Sequence, residues 1–124
     1  MARILLVDDE PLLRETLKTA LHAAGYTVAL APNGDAALKL LATEAFDVIV
    51  TDVLMPETDG LEMIMRIRKQ AKDVRIIAIS GGGRTRNMDM LEFAKSFGAD
   101  TVMAKPFLPK QLIETIKNLM GERI

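Results

Sequence analysis

No cysteine occurs in the 124 residues, which excludes disulfides, thiolate metal sites and thiol nucleophiles together. Proline and glycine are scarce, five and eight residues, so neither a collagen-like repeat nor a low-complexity disordered chain fits. An excess of one charge is missing too. Sixteen Lys and Arg face seventeen Asp and Glu, a formal net charge of −1, and no general field favours nucleic acid or an anionic membrane. No run approaches the roughly eighteen apolar residues of a membrane span. The N-terminus, MARILLVDDE, has one arginine and a short apolar run ended by acids, which is no signal peptide. What remains, 49% hydrophobic and 27% charged residues, is the composition of one soluble cytoplasmic domain, residues 1–124, with a single substantial core.

The chain alternates two kinds of segment. Apolar, β-branched runs occur at Ile4–Val7, Thr27–Leu30, Val48–Thr51, Val74–Ile79 and Thr101–Ala104. Between them lie segments with helical spacing. PLLRETLKTALHAAG puts Leu13, Leu17, Ala20, Leu21 and Ala24 on one face, with Pro11 in the first turn and Gly25 as a stop. GDAALKLLATEA repeats the pattern with Ala37, Leu38, Leu41 and Ala45, and GLEMIMRIRKQA with Leu61, Ile64, Met65 and Ile67. MDMLEFAKSFGA and PKQLIETIKNLM complete five strand-then-helix units. Strands that are apolar throughout belong to sheets covered on both faces, and interleaved helices make such a sheet parallel. Five units are too few for an eightfold barrel. The expected fold is α/β, a five-stranded doubly wound parallel sheet flanked by five helices.

In open parallel sheets, ligands bind beyond the carboxyl ends of the strands. The first strand ends in Asp8, Asp9 and Glu10, the third in Asp52, the fourth in Ser80, and the fifth runs into Lys105 and Pro106. Carboxylates gathered there repel, and one takes up a proton unless a cation joins them. Oxygen ligands that also present a phosphate suit Mg²⁺ (or Mn²⁺) rather than a calcium cage. An aspartate can attack phosphorus to give an acyl phosphate, with the metal and Lys105 neutralising the equatorial oxygens and the Ser80 hydroxyl donating a hydrogen bond. Asp52, alone on the central strand, is the candidate nucleophile; the adjacent Asp8 and Asp9 are the candidate metal holders. Taken singly, each has a plainer role. Either acid of the pair is an ordinary helix cap, Lys105 a solvated loop lysine and Ser80 a turn residue. Only their joint placement at strand ends argues for a site.

Those residues carry a resemblance. From ILLVDDE through VIVTDVLMPETDGLE and IIAISGGG to GADTVMAKPF, the chain resembles the receiver domain of bacterial two-component response regulators over essentially its whole length. The resemblance implies a flavodoxin-like sheet of order 2-1-3-4-5 and a cis Lys105–Pro106 bond. By position it makes Asp9 a direct metal ligand, Asp8 a ligand acting mostly through water, and the Leu54 carbonyl a further ligand. It makes Asp52 the phosphoacceptor, and Ser80 and Lys105 the hydroxyl and lysine of the switch. Met55, Pro56 and Gly60 match the loop that follows the acceptor. The implied activity is phosphoryl transfer from a sensor histidine kinase or histidine phosphotransfer protein to Asp52. The domain catalyses its own phosphorylation and dephosphorylation, and a conformational shift changes the binding of an output protein or domain.

Two departures from the family pattern stand out. Val102 occupies the position, three before the lysine, where an aromatic is usual, so no swinging aromatic reports phosphorylation; Phe97 and Phe107 are the nearby candidates, with plain packing as their simpler role. Gly81, Gly82 and Gly83 follow the hydroxyl, which suits either an order–disorder switch segment or a tight strand-to-helix turn. Arg84 and Arg86 suit a partner contact or a solvated helix start, and neither Leu54 nor Gly82 offers a polar group to position water. His22 reads as a surface residue, the eight methionines as core filling, and Arg66–Lys69 as a solvated face. Two other readings are open: a receiver-like module that binds a partner without phosphorylation, and a haloacid-dehalogenase-type phosphatase, which wants D-x-D after the first strand where this chain has adjacent acids. The start and the short tail, GERI, suit a stand-alone regulator or an N-terminal receiver cut after its last helix.

Overall fold

The computed structural model describes residues 2–55, 58–80 and 94–121. The strands are β1 (Arg3–Val7), β2 (Thr27–Ala31), β3 (Val48–Asp52), β4 (Arg75–Ser80) and β5 (Thr101–Ala104). The helices are α1 (Pro11–Ala23), α2 (Gly34–Thr43), α3 (Gly60–Gln70) and α5 (Pro109–Leu119), with α4 described over residues 94–96. Within the five-stranded sheet every pair is parallel, in the order β2-β1-β3-β4-β5. A two-residue antiparallel ribbon, Leu54–Met55 with Thr58–Asp59, follows β3. Among the described residues no helix is long and apolar enough to cross a membrane.

The pleat sorts the apolar strand residues into two cores. Ile4, Leu6, Val48, Val50, Ile77 and Ile79 meet Leu17 and Leu21 of α1 and Leu112 and Ile116 of α5. Their neighbours Leu5, Val7, Ile49, Ile76 and Ala78 face Ala37 of α2, Met63, Ile64 and Ile67 of α3, and Ala94 of α4. Strands buried on both faces have no polar alternation to show, which is why these runs are apolar throughout.

Three helix positions differ from the expectation. Ala24 is exposed because α1 stops before it: it caps the helix, its amide bonds the Ala20 carbonyl, and Gly25 follows in a left-handed turn at φ 99°. Ala45 is exposed because it lies beyond the end of α2. On α3 the buried methionine is Met63, one turn before Ile67, whereas Met65 is 43% exposed. The segment 88–93, expected to be helical, lies outside the described residues.

Arg66–Lys69 is not simply a solvated face either. Arg68 Nη1 donates to the carbonyls of Lys72 and Val74, at 2.9 and 2.6 Å. Its Nη2 donates to the Gly98 carbonyl and to Asp100 Oδ2, both at 2.8 Å. Asp100 Oδ2 also accepts the Ile76 amide at 2.7 Å, and Gly98 sits at φ 125° against the Arg68 side chain. One guanidinium thus ties the end of α3 to the entries of β4 and β5. Replacing it by alanine strands several acceptors, so Arg68→Ala should lower the unfolding free energy by about 2 kcal/mol in urea titration. Arg68→Lys should recover only part, since an ammonium lacks the planar fork. Wild-type stability in both variants would remove the clamp from the account.

Candidate functional site

Parallel register assembles the site. Val7 is level with Thr51 and Asp52 with Ile79, so Asp8 leaves β1 beside Asp52 at the end of β3. Ser80 pairs with Ala104, and Lys105 is next. Backbone bonds fix these rungs: the Val53 amide donates to the Ile79 carbonyl at 2.9 Å, and the Lys105 amide to the Ser80 carbonyl at 2.7 Å. The Lys105–Pro106 bond is cis, as the resemblance implied.

Asp8, Asp52 and Ser80 are buried, with Asp8 fully so and Asp52 3% exposed. Into this acidic end reaches the ammonium of Lys105. Lys105 Nζ donates to Asp52 Oδ2 at 2.7 Å, Glu10 Oε1 at 2.9 Å and Asp8 Oδ2 at 3.2 Å, three acceptors for the three hydrogens of an ammonium. One carboxylate oxygen from each of Asp8, Glu10 and Asp52 lies within 4.8 Å of the others. Burial by itself lowers the lysine's pKa, but the hydrogen bonds to Asp52 and Glu10 and the charges of Asp52 and Asp8 outweigh it. The ammonium is therefore held well above the ordinary lysine value.

Asp8 is fixed from two more directions. Its Oδ1 accepts the Glu10 amide at 2.9 Å, and its carbonyl accepts Arg14 Nη1 at 2.7 Å. Asp9 is exposed and lies outside the carboxylate group. Side chains two apart in extended chain share a side, so Asp8 turns to Asp52 with Glu10 rather than with Asp9. Leu54 opens the short ribbon two residues after Asp52. The Ser80 hydroxyl oxygen is buried and has no hydrogen-bond partner among the described residues.

The structure thus brings Asp8, Asp52 and Lys105 into contact, with Ser80 on the adjoining strand. Glu10 and Arg14 are the additions. Glu10 was legible as the acid two residues after Asp8; Arg14 carried no signal beyond its place in the first turns of α1. Val102 is partly buried against the α2–α3 core and Phe107 against the α1–α5 core, while Phe97 is 38% exposed. His22 is exposed. Pro56, Gly81–Gly83, Arg84 and Arg86 lie outside the described residues.

Comparison with known proteins agrees with this geometry. The family model "Response regulator receiver domain" matches residues 4–117. "Probable transcriptional regulator ycf27" of Cyanidium caldarium is 38% identical over 119 residues, covering 94% of this chain and 45% of that protein. The chain spans about half the length of the curated relatives it matches. Among solved structures, chemotaxis response regulator CheY4 of Vibrio cholerae has a TM-score of 0.86 at 32% identity, covering 96% of this chain and 98% of that one. Response regulator TrrA of Thermotoga maritima, solved in complex with Mg(2+)-BeF, has a TM-score of 0.82 at 38% identity, covering 96% and 99%. With a sheet of the expected order, an acidic cluster at its carboxyl edge and a family match across most of its length, the chain belongs to the response regulator receiver domain family.

Proposed function

We propose that Asp52 is the phosphoacceptor of this receiver domain and that the domain works as a phosphorylation switch in the cytoplasm. The observation that carries the reading is the buried Asp52 carboxylate held 2.7 Å from Lys105 at the end of the central strand. In the transfer, an Asp52 oxygen attacks phosphorus. The P–O bond forms as the P–N bond of a phosphohistidine breaks, and the electron pair returns to the imidazole nitrogen of a sensor kinase or phosphotransfer protein, which takes up a proton. In the reverse sense of regulation, water attacks phosphorus, the P–O bond to Asp52 breaks, and the carboxylate is restored.

The residues fit a hard divalent cation. Asp8, Glu10 and Asp52 offer carboxylate oxygens in a group compact enough to share one ion, and the Lys105 ammonium balances them only in part. Asp52 and Asp8, Asp9 from the solvent side and the Leu54 carbonyl are the groups that would hold Mg²⁺ (or Mn²⁺). When bound, the ion supplies charge neutralisation on the phosphoryl oxygens. Lys105 is long enough to follow the new oxygens, and its raised pKa keeps it charged at neutral pH. Ser80 brings the remaining donor: a buried hydroxyl that lacks a partner among the described residues gains one when a phosphoryl oxygen arrives, and this biases the β4–β5 face toward its second state.

Incubation with acetyl phosphate and Mg²⁺, read by intact mass, tests the proposal. A phosphoryl adduct that needs the cation supports it. No adduct, together with no beryllofluoride binding, leaves the non-phosphorylated binding module as the better reading. A second outcome concerns Ser80. Since its hydroxyl has no partner among the described residues, Ser80→Ala should keep the stability of the unmodified protein within about 1 kcal/mol. The variant should lose most of the adduct-induced shifts in amide NMR spectra along β4 and β5. A strongly destabilised Ser80→Ala would place that hydroxyl in the resting fold instead.

A further inference from the structure

We infer that Glu10 is a positioning residue that acts on Lys105, holding the ammonium at the rim of the site while Asp8 and Asp52 turn to a cation. The inference rests on the proposed function and goes beyond it by assigning a role to the third carboxylate.

Glu10 is the N-cap of α1 at φ −91° and ψ 108°, yet its side chain makes no capping bond. Pro11, at the first helical turn, has no amide hydrogen to offer it. The helix therefore makes no use of this carboxylate. Its backbone is nevertheless fixed, because its amide is bound by Asp8 Oδ1 at 2.9 Å. What the side chain does instead is reach Lys105, 95 residues away, at 2.9 Å.

Exposure separates the three acceptors. The side chains of Asp8 and Asp52 are 0% and 4% exposed, whereas that of Glu10 is 62% exposed. A cation that enters between the two inner carboxylates competes with the ammonium for the same oxygens. Lys105 then has to move outward, and an unpaired ammonium, only 14% exposed here, is costly wherever water does not reach it. Glu10 removes that difficulty. It offers a carboxylate already in contact, so the lysine exchanges two bonds and retains the third. The ammonium stays within reach of the phosphoryl oxygens instead of drifting into solvent.

Acting through Lys105 differs measurably from acting on the cation. Mg²⁺ affinity would be measured by titration calorimetry on the unaltered protein, Glu10→Gln, Lys105→Met and the double variant. Glu10→Gln should weaken Mg²⁺ about two- to fivefold when Lys105 is present, the range expected of a partly solvated ion pair. The same change should do nothing in the Lys105→Met background. Equal weakening in both backgrounds, or none in either, overturns the inference. In case Lys105→Met does not fold, side-chain ¹⁵N NMR of the Lys105 ammonium in the Mg²⁺-loaded protein gives a second measurement. A protected signal should persist in the unaltered protein and vanish in Glu10→Gln; the same signal in both overturns the inference. Asp52→Asn separates the two levels. If it leaves Mg²⁺ affinity unchanged, the site reading itself fails; if it weakens Mg²⁺ while Glu10→Gln does not, only the role of Glu10 fails.

Discussion

Asp52→Asn should abolish the phosphoryl adduct formed with acetyl phosphate and Mg²⁺, with intact mass showing only unmodified protein. The amide is neutral, a poor nucleophile toward phosphorus and a weaker ligand for a hard cation. Its shape and one accepting oxygen remain, so Lys105 keeps a partner on β3, and one fewer negative charge faces Asp8. The loss of adduct should therefore come without loss of fold, and the thermal midpoint should stay near or above that of the unaltered protein. An adduct of undiminished yield on the Asn variant would move the acceptor to another carboxylate and sink the assignment.

Lys105→Met should be the most destabilising change at the site. Lys105 pairs with the buried carboxylates of both Asp8 and Asp52. Removing one partner of a buried pair leaves the other charge uncompensated. In chelator-treated buffer at neutral pH the cost should be about 3 kcal/mol in urea titration. Saturating Mg²⁺ should recover most of it, because an ion that binds only the folded protein stabilises by mass action. The pH dependence follows from the raised lysine pKa. A group whose folded value exceeds its unfolded one contributes fully below the unfolded value, about 10.4 for lysine. That contribution fades as pH rises through the folded value. Unaltered protein should thus lose stability above about pH 10 more steeply than Lys105→Met. Equal slopes and a negligible loss at neutral pH would mean that the acids do not depend on this lysine.

Much of the fold was legible because burial on both faces leaves a plain trace. Val48–Val50 and Ile76–Ile79 carry no polar residue, and only a covered sheet explains that. What misled was register on the helices. Met63 and Met65 are equally apolar, and spacing alone favoured Met65, until the packing of α3 on Ile76 and Ile49 turned Met63 inward. The site was legible in outline for a different reason: each residue ends a strand, and a parallel sheet sends all strand ends to one edge. Which acids of the run Asp8–Asp9–Glu10 turn inward follows from two-residue alternation only if the chain stays extended past Val7, which composition alone does not show. Arg68 was obscured in the same way. A basic run on a helix is usually solvated, and its acceptors, carbonyls at 72, 74 and 98, have no side-chain signature to read.

The span of the Lys105 contacts has a further consequence for the order in which the chain is made. Asp8 and Lys105 are separated by 97 positions, Asp52 and Lys105 by 53. A ribosome delivers β1 to β4, with all three carboxylates, well before it delivers the lysine. Any nascent sheet formed in that interval holds a buried acidic pair without its ammonium, and β5 completes the charge balance as it docks. The last strand therefore does electrostatic as well as hydrogen-bonding work at assembly. Divalent ion in the surrounding solution is the natural substitute until it arrives.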